Sequence, residues 1–330
     1  MTDAGTARLT AALAGAGVSW EQVADCRSLA GGTFNAVYLV ELTGDTGLVV
    51  KIPPGPDTPV LRYEQGILET EALYYRLAGQ CRDVTVPAVI AVDAAGPTGG
   101  YLVMTRCPGR PWPDLVPLPA GAERDELRAE VGRQVARLHT ITGTRFGYPS
   151  QAVGPLRESW RAAFLDMVNA VLADAGRFAV TLPRPTADIR DWFTARAAVL
   201  DEVITPVLVH FDLWDGNILV ESGPAGRRIG ALIDAERAFW GDPLAEFVSL
   251  ALFADIEQDT AFLHGYRAAG GPATFDFAAR RRLSLYRAYL YLIMWVETAP
   301  RQSGQERLDW LFDRVLRPLA AAFDEGAPHQ

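Results

Sequence analysis

Val207-Leu208-Val209-His210-Phe211-Asp212-Leu213-Trp214-Asp215-Gly216-Asn217-Ile218-Leu219-Val220 is the stretch on which the reading of this chain turns. Two short apolar runs flank a polar loop, which reads as strand, loop, strand. The loop carries Asp212 and, five positions on, Asn217, a spacing that lets both side chains turn back into one pocket. Just downstream, Ile229-Gly230-Ala231-Leu232-Ile233-Asp234 reads as another apolar strand, and it ends in a carboxylate.

Working outward, the search for a matching cation leads far upstream. The chain holds 31 basic residues, and Lys51 is the only lysine among them. It stands in Leu48-Val49-Val50-Lys51-Ile52, an apolar run that reads as a buried strand. Arginine is a planar fork and lysine a compact point charge on a flexible stem. A position that keeps the ammonium suits a single charge set deep in a narrow space, and a nucleotide phosphate is the first candidate anion. Phosphoryl transfer asks for few protein groups: a lysine on the phosphates, a carboxylate near the attacking hydroxyl, and oxygen ligands for Mg²⁺. Lys51, Asp212, Asn217 and Asp234 supply that set in chain order.

His210-x-Asp212-x-x-x-x-Asn217 resembles the catalytic loop of the aminoglycoside phosphotransferase family, which is related to the protein kinases. Asp234 resembles the metal-binding Asp of the kinase Asp-Phe-Gly motif, here without the Phe-Gly. Gly241-Asp242-Pro243-Leu244 also looks like that family, and Ala30-Gly31-Gly32-Thr33-Phe34-Asn35-Ala36-Val37-Tyr38 resembles its nucleotide loop. The similarity runs from about residue 25 to about residue 300. It implies an α+β, bilobal, protein-kinase-like fold, with a nucleotide-binding lobe over residues 1–107 and a catalytic and acceptor-binding lobe over 108–330.

The roles implied are these. Gly31, Gly32 and Thr33 approach the phosphates, since glycine adds no Cβ to hold backbone N–H groups away. Lys51 contacts the α- and β-phosphates. A helix Glu holds the lysine; among Glu64, Glu69 and Glu71, the last best matches the family pattern. Met104 and Arg106, with Thr105 and Cys107, form the connector at the adenine edge. Asp212 orients the acceptor hydroxyl and takes its proton. Asn217 and Asp234 hold Mg²⁺, and Glu236 and Asp242 stand behind them. His210 supports the loop rather than catalysing. Phe211 replaces the glycine usual in the family, and Trp214-Asp215 a common His-Pro, which makes the loop bulkier. Tyr286, Tyr289, Trp295 and Glu297 lie on a late helix where related enzymes bind the acceptor; aromatic residues at helical spacing also suit a core.

The resemblance implies an ATP-dependent kinase acting on a hydroxyl of a small molecule, with an antibiotic first among the acceptors. His210-x-Asp212-Leu213-Trp214-x-Gly216-Asn217 also resembles the fructosamine kinases, so a metabolic kinase of a sugar or glycated amine is the alternative. A nucleotide-binding pseudokinase is a further reading, and the full catalytic set argues against it. No Ala-Pro-Glu motif follows Asp234, as a protein kinase would require, and with Lys51 the only lysine a P-loop in its usual form is excluded.

Composition limits the remaining classes. At 330 residues, 49% hydrophobic, the chain can bury a sizeable core. A formal charge of -9 argues against a general nucleic-acid binder. Cys26, Cys81 and Cys107 are scattered, without a Cys-x-x-Cys pair, and read as free thiols in a reducing cytoplasm. The N-terminus lacks a signal-peptide pattern. Leu283 to Val296 contains Arg287 and is too short to span a bilayer. Helices are expected over Thr6–Ala16, Arg62–Ala78, Leu244–Ala254, Phe277–Thr298 and Gln305–Phe323, with further helical spacing at Leu127 to Leu138, Trp160 to Val168 and Ile189 to Leu200.

Overall fold

The computed structural model describes residues 3–29, 34–44, 46–55, 57–93 and 100–324. Gly31, Gly32 and Thr33 of the expected phosphate loop lie outside these described residues. Helix α1 (Asp3–Gly15) precedes strands β1 (Val23–Leu29), β2 (Ala36–Leu42) and β3 (Gly47–Ile52); helix α2 (Ile67–Ala78) follows, then β4 (Val89–Asp93) and β5 (Tyr101–Thr105). These strands form an antiparallel sheet in the order β1-β2-β3-β5-β4.

Alternation along β3 divides its side chains between two faces. Leu48, Val50 and Ile52 pack with Leu9, Ala12 and Leu13 of α1 and with Val103 of β5. Burying a leucine side chain contributes about 1.5–3 kcal/mol, so α1 closes that face by burial alone. Val49 and Lys51 turn the other way, toward the face that α2 covers with Tyr74 and Tyr75. The period-2 rule therefore sends the one lysine toward the helix that carries Glu71.

Beyond β5 the chain becomes mainly helical. β6 (Arg110–Pro111) leads to α3 (Gly121–Leu138), α4 (Trp160–Arg177) and α5 (Thr186–Arg196). β7 (Val207–Val209), β8 (Ile218–Gly223), β9 (Gly226–Leu232) and β10 (Phe239–Gly241) follow; β7 pairs with β10, and β8 lies between β6 and β9. The end of the chain holds α6 (Glu246–Leu250), α7 (Thr260–Ala268), α8 (Phe277–Val296), α9 (Gln305–Leu311) and α10 (Arg317–Asp324). Leu127, Val131, Val135 and Leu138 form the buried stripe of α3. Helix α7 crosses α3 so closely that a Cβ on Gly265 would lie 1.9 Å from the Ala129 carbonyl oxygen. No helix among the described residues is long and apolar enough to cross a membrane, and the three cysteines are free.

Several element bounds differ from expectation. The helix expected over Arg62–Ala78 is a 3-10 turn, Arg62–Glu64, followed by α2. Gly66, at φ 73°, separates the two, and the Glu64 carboxylate accepts from the Leu61 amide at 2.7 Å to cap the turn. The helix expected over Leu244–Ala254 stops at Leu250, and Phe253 turns the chain at φ 63°. The last expected helix is split by a π turn, Phe312–Leu316. Pro318 lacks an N–H, and its ring crowds the carbonyl four residues back, which widens the preceding turn. The short α7 and β10 were too brief to read from periodicity.

Candidate active site

Lys51 Nζ sits at a point where three carboxylate oxygens converge. It donates to Glu71 Oε1 and Oε2 at 2.7 and 2.8 Å, and to Asp234 Oδ1. A planar guanidinium fork cannot serve three acceptors grouped around one point, which accounts for the single lysine in an arginine-rich chain. Burial alone would pull the Lys51 ammonium down, but Asp234, Glu71 and Glu236 outweigh it and hold its pKa above the usual lysine value. Burial pushes Asp234 up, and the adjacent Lys51 more than reverses this, so that carboxyl stays ionised. Four residues along α2 from Glu71, on the same helix face, the Tyr75 hydroxyl donates to Glu71 Oε1 at 2.8 Å and accepts from the Asp234 amide at 2.7 Å. That second bond secures Asp234 at φ 67°, a left-handed conformation that disfavours side chains.

The loop after β7 is built on a second carboxylate. Glu246 of α6 accepts from the amides of His210 at 2.7 Å and Phe211 at 3.1 Å, and Ser249 Oγ accepts from the Leu213 amide at 3.1 Å. His210 Nε2 bonds the Ile233 carbonyl at 2.9 Å, while the Asp212 amide donates to its Nδ1 at 3.3 Å. One nitrogen gives and one receives, so this ring is neutral, and burial lowers its pKa accordingly. His210 thus fastens the loop to the strand that ends at Asp234.

Asp212 and Asn217 meet as their spacing predicts. Asn217 Nδ2 donates to the Asp212 carbonyl at 2.8 Å, leaving its amide oxygen as an acceptor. Arg237 Nη1 donates to Asp212 Oδ1 at 3.1 Å. Burial pushes the Asp212 carboxyl up to about 7, with Arg237 opposing the rise and Asp234 and Glu297 adding to it. A carboxyl titrating there is suited to accept a proton near neutrality.

Oxygen donors for a metal cluster at one edge. Carboxylate oxygens of Glu71, Asp234 and Glu236 lie within 4.8 Å of one another. Asn35 donates to Glu236 at 3.1 Å, while its own Oδ1 is buried without a partner among the described residues. Asp234, Glu236 and the Asn217 amide oxygen are hard oxygen donors, the chemistry that suits Mg²⁺. Glu71 is committed to Lys51 and Tyr75.

The remaining sequence candidates have the following settings. Met104 is buried in the core, and Arg106 pairs with Glu41 at 2.6 Å, half exposed. Asp242 does not join the oxygen cluster; it caps the turn before α6 by accepting from the Leu244 amide at 2.9 Å, and it accepts from the Tyr286 hydroxyl at 2.7 Å. Tyr286 and Tyr289 are fully buried core residues, and Trp295 Nε1 donates to the Thr181 carbonyl at 2.9 Å. Glu297 is buried against Arg237 and Arg301. Sequence reasoning missed Tyr75, Arg237, Glu246 and Ser249. The i to i+4 spacing of Glu71 and Tyr75 was a usable signal; nothing local pointed to Arg237.

The model of the phosphotransferase enzyme family matches residues 25–286. A solved putative fructosamine-3-kinase from Thermobifida fusca is similar at TM-score 0.63 and 22% identity, over 96% of this chain and 98% of that one. The aminoglycoside phosphotransferase APH(4)-Ia, in complex with AMP-PNP and hygromycin B, is similar at TM-score 0.61 and 21% identity, over 94% and 96%. A macrolide 2'-phosphotransferase from Brachybacterium faecium is similar at TM-score 0.57 and 20% identity, over 98% and 99%. At these identities the likeness is one of fold. The comparison with curated proteins returned no match.

Proposed function

The chain belongs to the phosphotransferase enzyme family, and from that premise we propose that it transfers the γ-phosphate of ATP to a hydroxyl of a small molecule, in the cytoplasm, with a natural-product antibiotic as the first acceptor class to test. In this reading residues 1–107 bind the nucleotide and residues 108–330 carry the base and the acceptor. The observation that carries it is the meeting of Lys51, Glu71 and Asp234 beside a loop that joins Asp212 to Asn217.

Lys51 has three N–H donors, and all are engaged by Glu71 and Asp234. Triphosphate binding exchanges the Asp234 contact for phosphate oxygens, while Glu71 keeps the ammonium in place. Gly31, Gly32 and Thr33 belong to the phosphate loop, and Met104 and Arg106 to the adenine edge. Asn217 and Asp234 would hold Mg²⁺, with Glu236 adjacent; when bound, the ion neutralises charge on the phosphates. Asp212 Oδ1 is held by Arg237, and Oδ2 takes no partner among the described residues. The acceptor hydroxyl donates to that oxygen. As its own oxygen bonds to the γ-phosphorus, the bridging P–O bond breaks with its electrons going to ADP, and the proton passes to Asp212.

A second reading, a metabolic kinase of a sugar or glycated amine, is favoured by Trp214, which directly follows Leu213 and folds over Gly216, together with the fold similarity to a fructosamine-3-kinase. A panel of antibiotics and glycated amines with Mg-ATP, read by mass spectrometry for an added phosphate, separates the two. Absence of any ATP turnover, with every acceptor and with water, would leave only a nucleotide-binding role.

A further inference from the structure

A buried chain of charges runs from the proposed base to the turn before α2. Arg237 Nη2 donates to Glu297 Oε1 and Oε2 at 2.9 and 3.1 Å. Arg301 Nη1 lies 2.6 Å from Glu297 Oε2, and its Nη2 donates to Glu64 Oε1 at 2.7 Å. The Tyr63 hydroxyl donates to Glu297 Oε1. Glu64 is itself fixed by the Leu61 amide. The side chains of Glu64, Glu297 and Arg237 are 1%, 5% and 9% exposed, so the network is almost dry.

A packed apolar cluster of similar volume generally stabilises a fold as well as a buried ion network does, because ions lose their hydration on burial. Stability alone therefore gives no reason for this arrangement. Its geometry gives one. Without Glu297, the Arg237 fork would be free to take both oxygens of Asp212, the ordinary bidentate pairing of arginine with a carboxylate. With Glu297 occupying Nη2, only Nη1 reaches Asp212, and only Oδ1 is taken.

We infer that Glu297, seconded by Arg301 and Tyr63, is a positioning residue for phosphoryl transfer: it holds Arg237 so that one oxygen of Asp212 is engaged and the other stays open to the acceptor hydroxyl. The inference rests on the assignment of Asp212 as proton acceptor. Glu297 closes α8, and Tyr63 and Glu64 lie in the turn just before α2, the helix of Glu71. One network therefore sets the base and ties that setting to the segment leading into the helix that holds the lysine.

The test compares the wild type with Glu297→Gln, Glu297→Asp, Tyr63→Phe and Asp212→Asn in the full chain. Turnover is read as ADP release from Mg-ATP, with water and with any acceptor the panel returns, beside the KM for ATP and the thermal midpoint. Glu297→Gln is expected to lower kcat by about 10- to 100-fold, a part of the roughly 10²–10⁴-fold that a well-placed base contributes, with the KM for ATP within about twofold of wild type. Glu297→Asp keeps the charge and should restore part of that loss. Tyr63→Phe keeps the ring on Tyr148, whose centroid is 5.8 Å away, should lower kcat by a few-fold, and decides the matter where Glu297→Gln does not fold. Wild-type kcat in the Gln variant, or in Tyr63→Phe where the Gln variant fails to fold, overturns the inference. So does a loss that follows KM and thermal midpoint together, or an Asp variant no better than Gln. Full turnover in Asp212→Asn would instead overturn the assignment of the base.

Discussion

Replacing Arg237 with methionine removes the cation bonded to Asp212 while keeping most of the side-chain volume. The guanidinium lies 3.1 Å from Asp212 Oδ1, and the two side chains are 9% and 18% exposed. At an effective dielectric constant of about 20, unit charges about 4 Å apart attract by roughly 4 kcal/mol, or about three pKa units. Arg301 also draws the Asp212 pKa down, and water reaches the carboxylate edge, so about two units of that is a reasonable net effect. Asp212 stands at about 7 with Arg237 present; without it the carboxyl moves to about 9. A base works ionised, so wild-type kcat/KM should fall as pH drops through about 7, and the variant's through about 9. At pH 7 the ionised share goes from roughly half to roughly 1%, a loss of about 50-fold that shrinks to less than about twofold above about pH 9.5. The assay is kcat/KM for ADP release from about pH 5.5 to about 10. An acid limb that stays where the wild type has it, or a deficit that does not change with pH, would refute the electrostatic account.

Other perturbations separate other parts of the site. Asp212→Asn should remove a pH-dependent penalty: a carboxyl raised from 3.8 to about 7 favours the fold only while protonated, so that contribution is present below the unfolded value and lost as pH rises through about 7. The urea midpoint of the Asn variant should accordingly gain on wild type between about pH 4 and about pH 8, and an unchanged difference would contradict the burial argument. Lys51→Met leaves Glu71 and Asp234 without their shared cation; loss of one partner from a buried pair destabilises by about 3–5 kcal/mol, and the thermal midpoint should fall along with turnover. Tyr75→Phe should destabilise by about 1–3 kcal/mol, because the Asp234 amide loses its acceptor, and a neutral result in denaturant titration would show that the amide has found another. Phe211→Gly relieves a left-handed conformation worth about 1 kcal/mol but empties a site whose loss is worth about 3–5 kcal/mol, so calorimetry should show net destabilisation.

The meeting of Lys51 with Asp234 and of Asn217 with Asp212 was legible because these residue types, in this short-range setting, are the ones phosphoryl-transfer chemistry would ask for. Each stands at a strand end, or in a loop between strands, where apolar runs make a polar residue conspicuous. The pairing of Lys51 with Glu71 followed from the family resemblance, which singled out Glu71 among three glutamates on the next helix, and the structure shows that contact. Arg237, Glu246, Ser249 and Glu297 were harder, because what matters about them is tertiary. Glu246 reaches the catalytic loop across 36 positions of chain, and Glu297 reaches Arg237 across 60. Nothing in the residues around Glu246 says that its carboxylate faces two amides of another loop. Helix ends were misjudged where a single residue, Gly66, Phe253 or Pro318, overrode a continuous apolar pattern.

The two bulky replacements in the catalytic loop have opposite consequences, although the sequence presents them alike. Phe211 holds φ 62°, a conformation where glycine is at ease and phenylalanine is not. The two backbone amides bound by Glu246 secure that turn, and they point the ring inward, where it is fully buried. Its centroid lies 4.9 Å from that of Phe239 and 5.7 Å from that of Tyr289. This bulk therefore went into the core, and with it Tyr286 and Tyr289 of α8, which the sequence had offered as acceptor contacts. Trp214 is different: 41% exposed, it lies over Gly216, where an added Cβ would meet the indole at 2.3 Å. Of the two bulky replacements, only the tryptophan presents surface to an incoming molecule. A change in acceptor preference on Trp214→His, with none on a core-conserving Phe211→Leu, is the pattern this division requires; the reverse pattern would mean that the loop reshapes the acceptor space through its buried side.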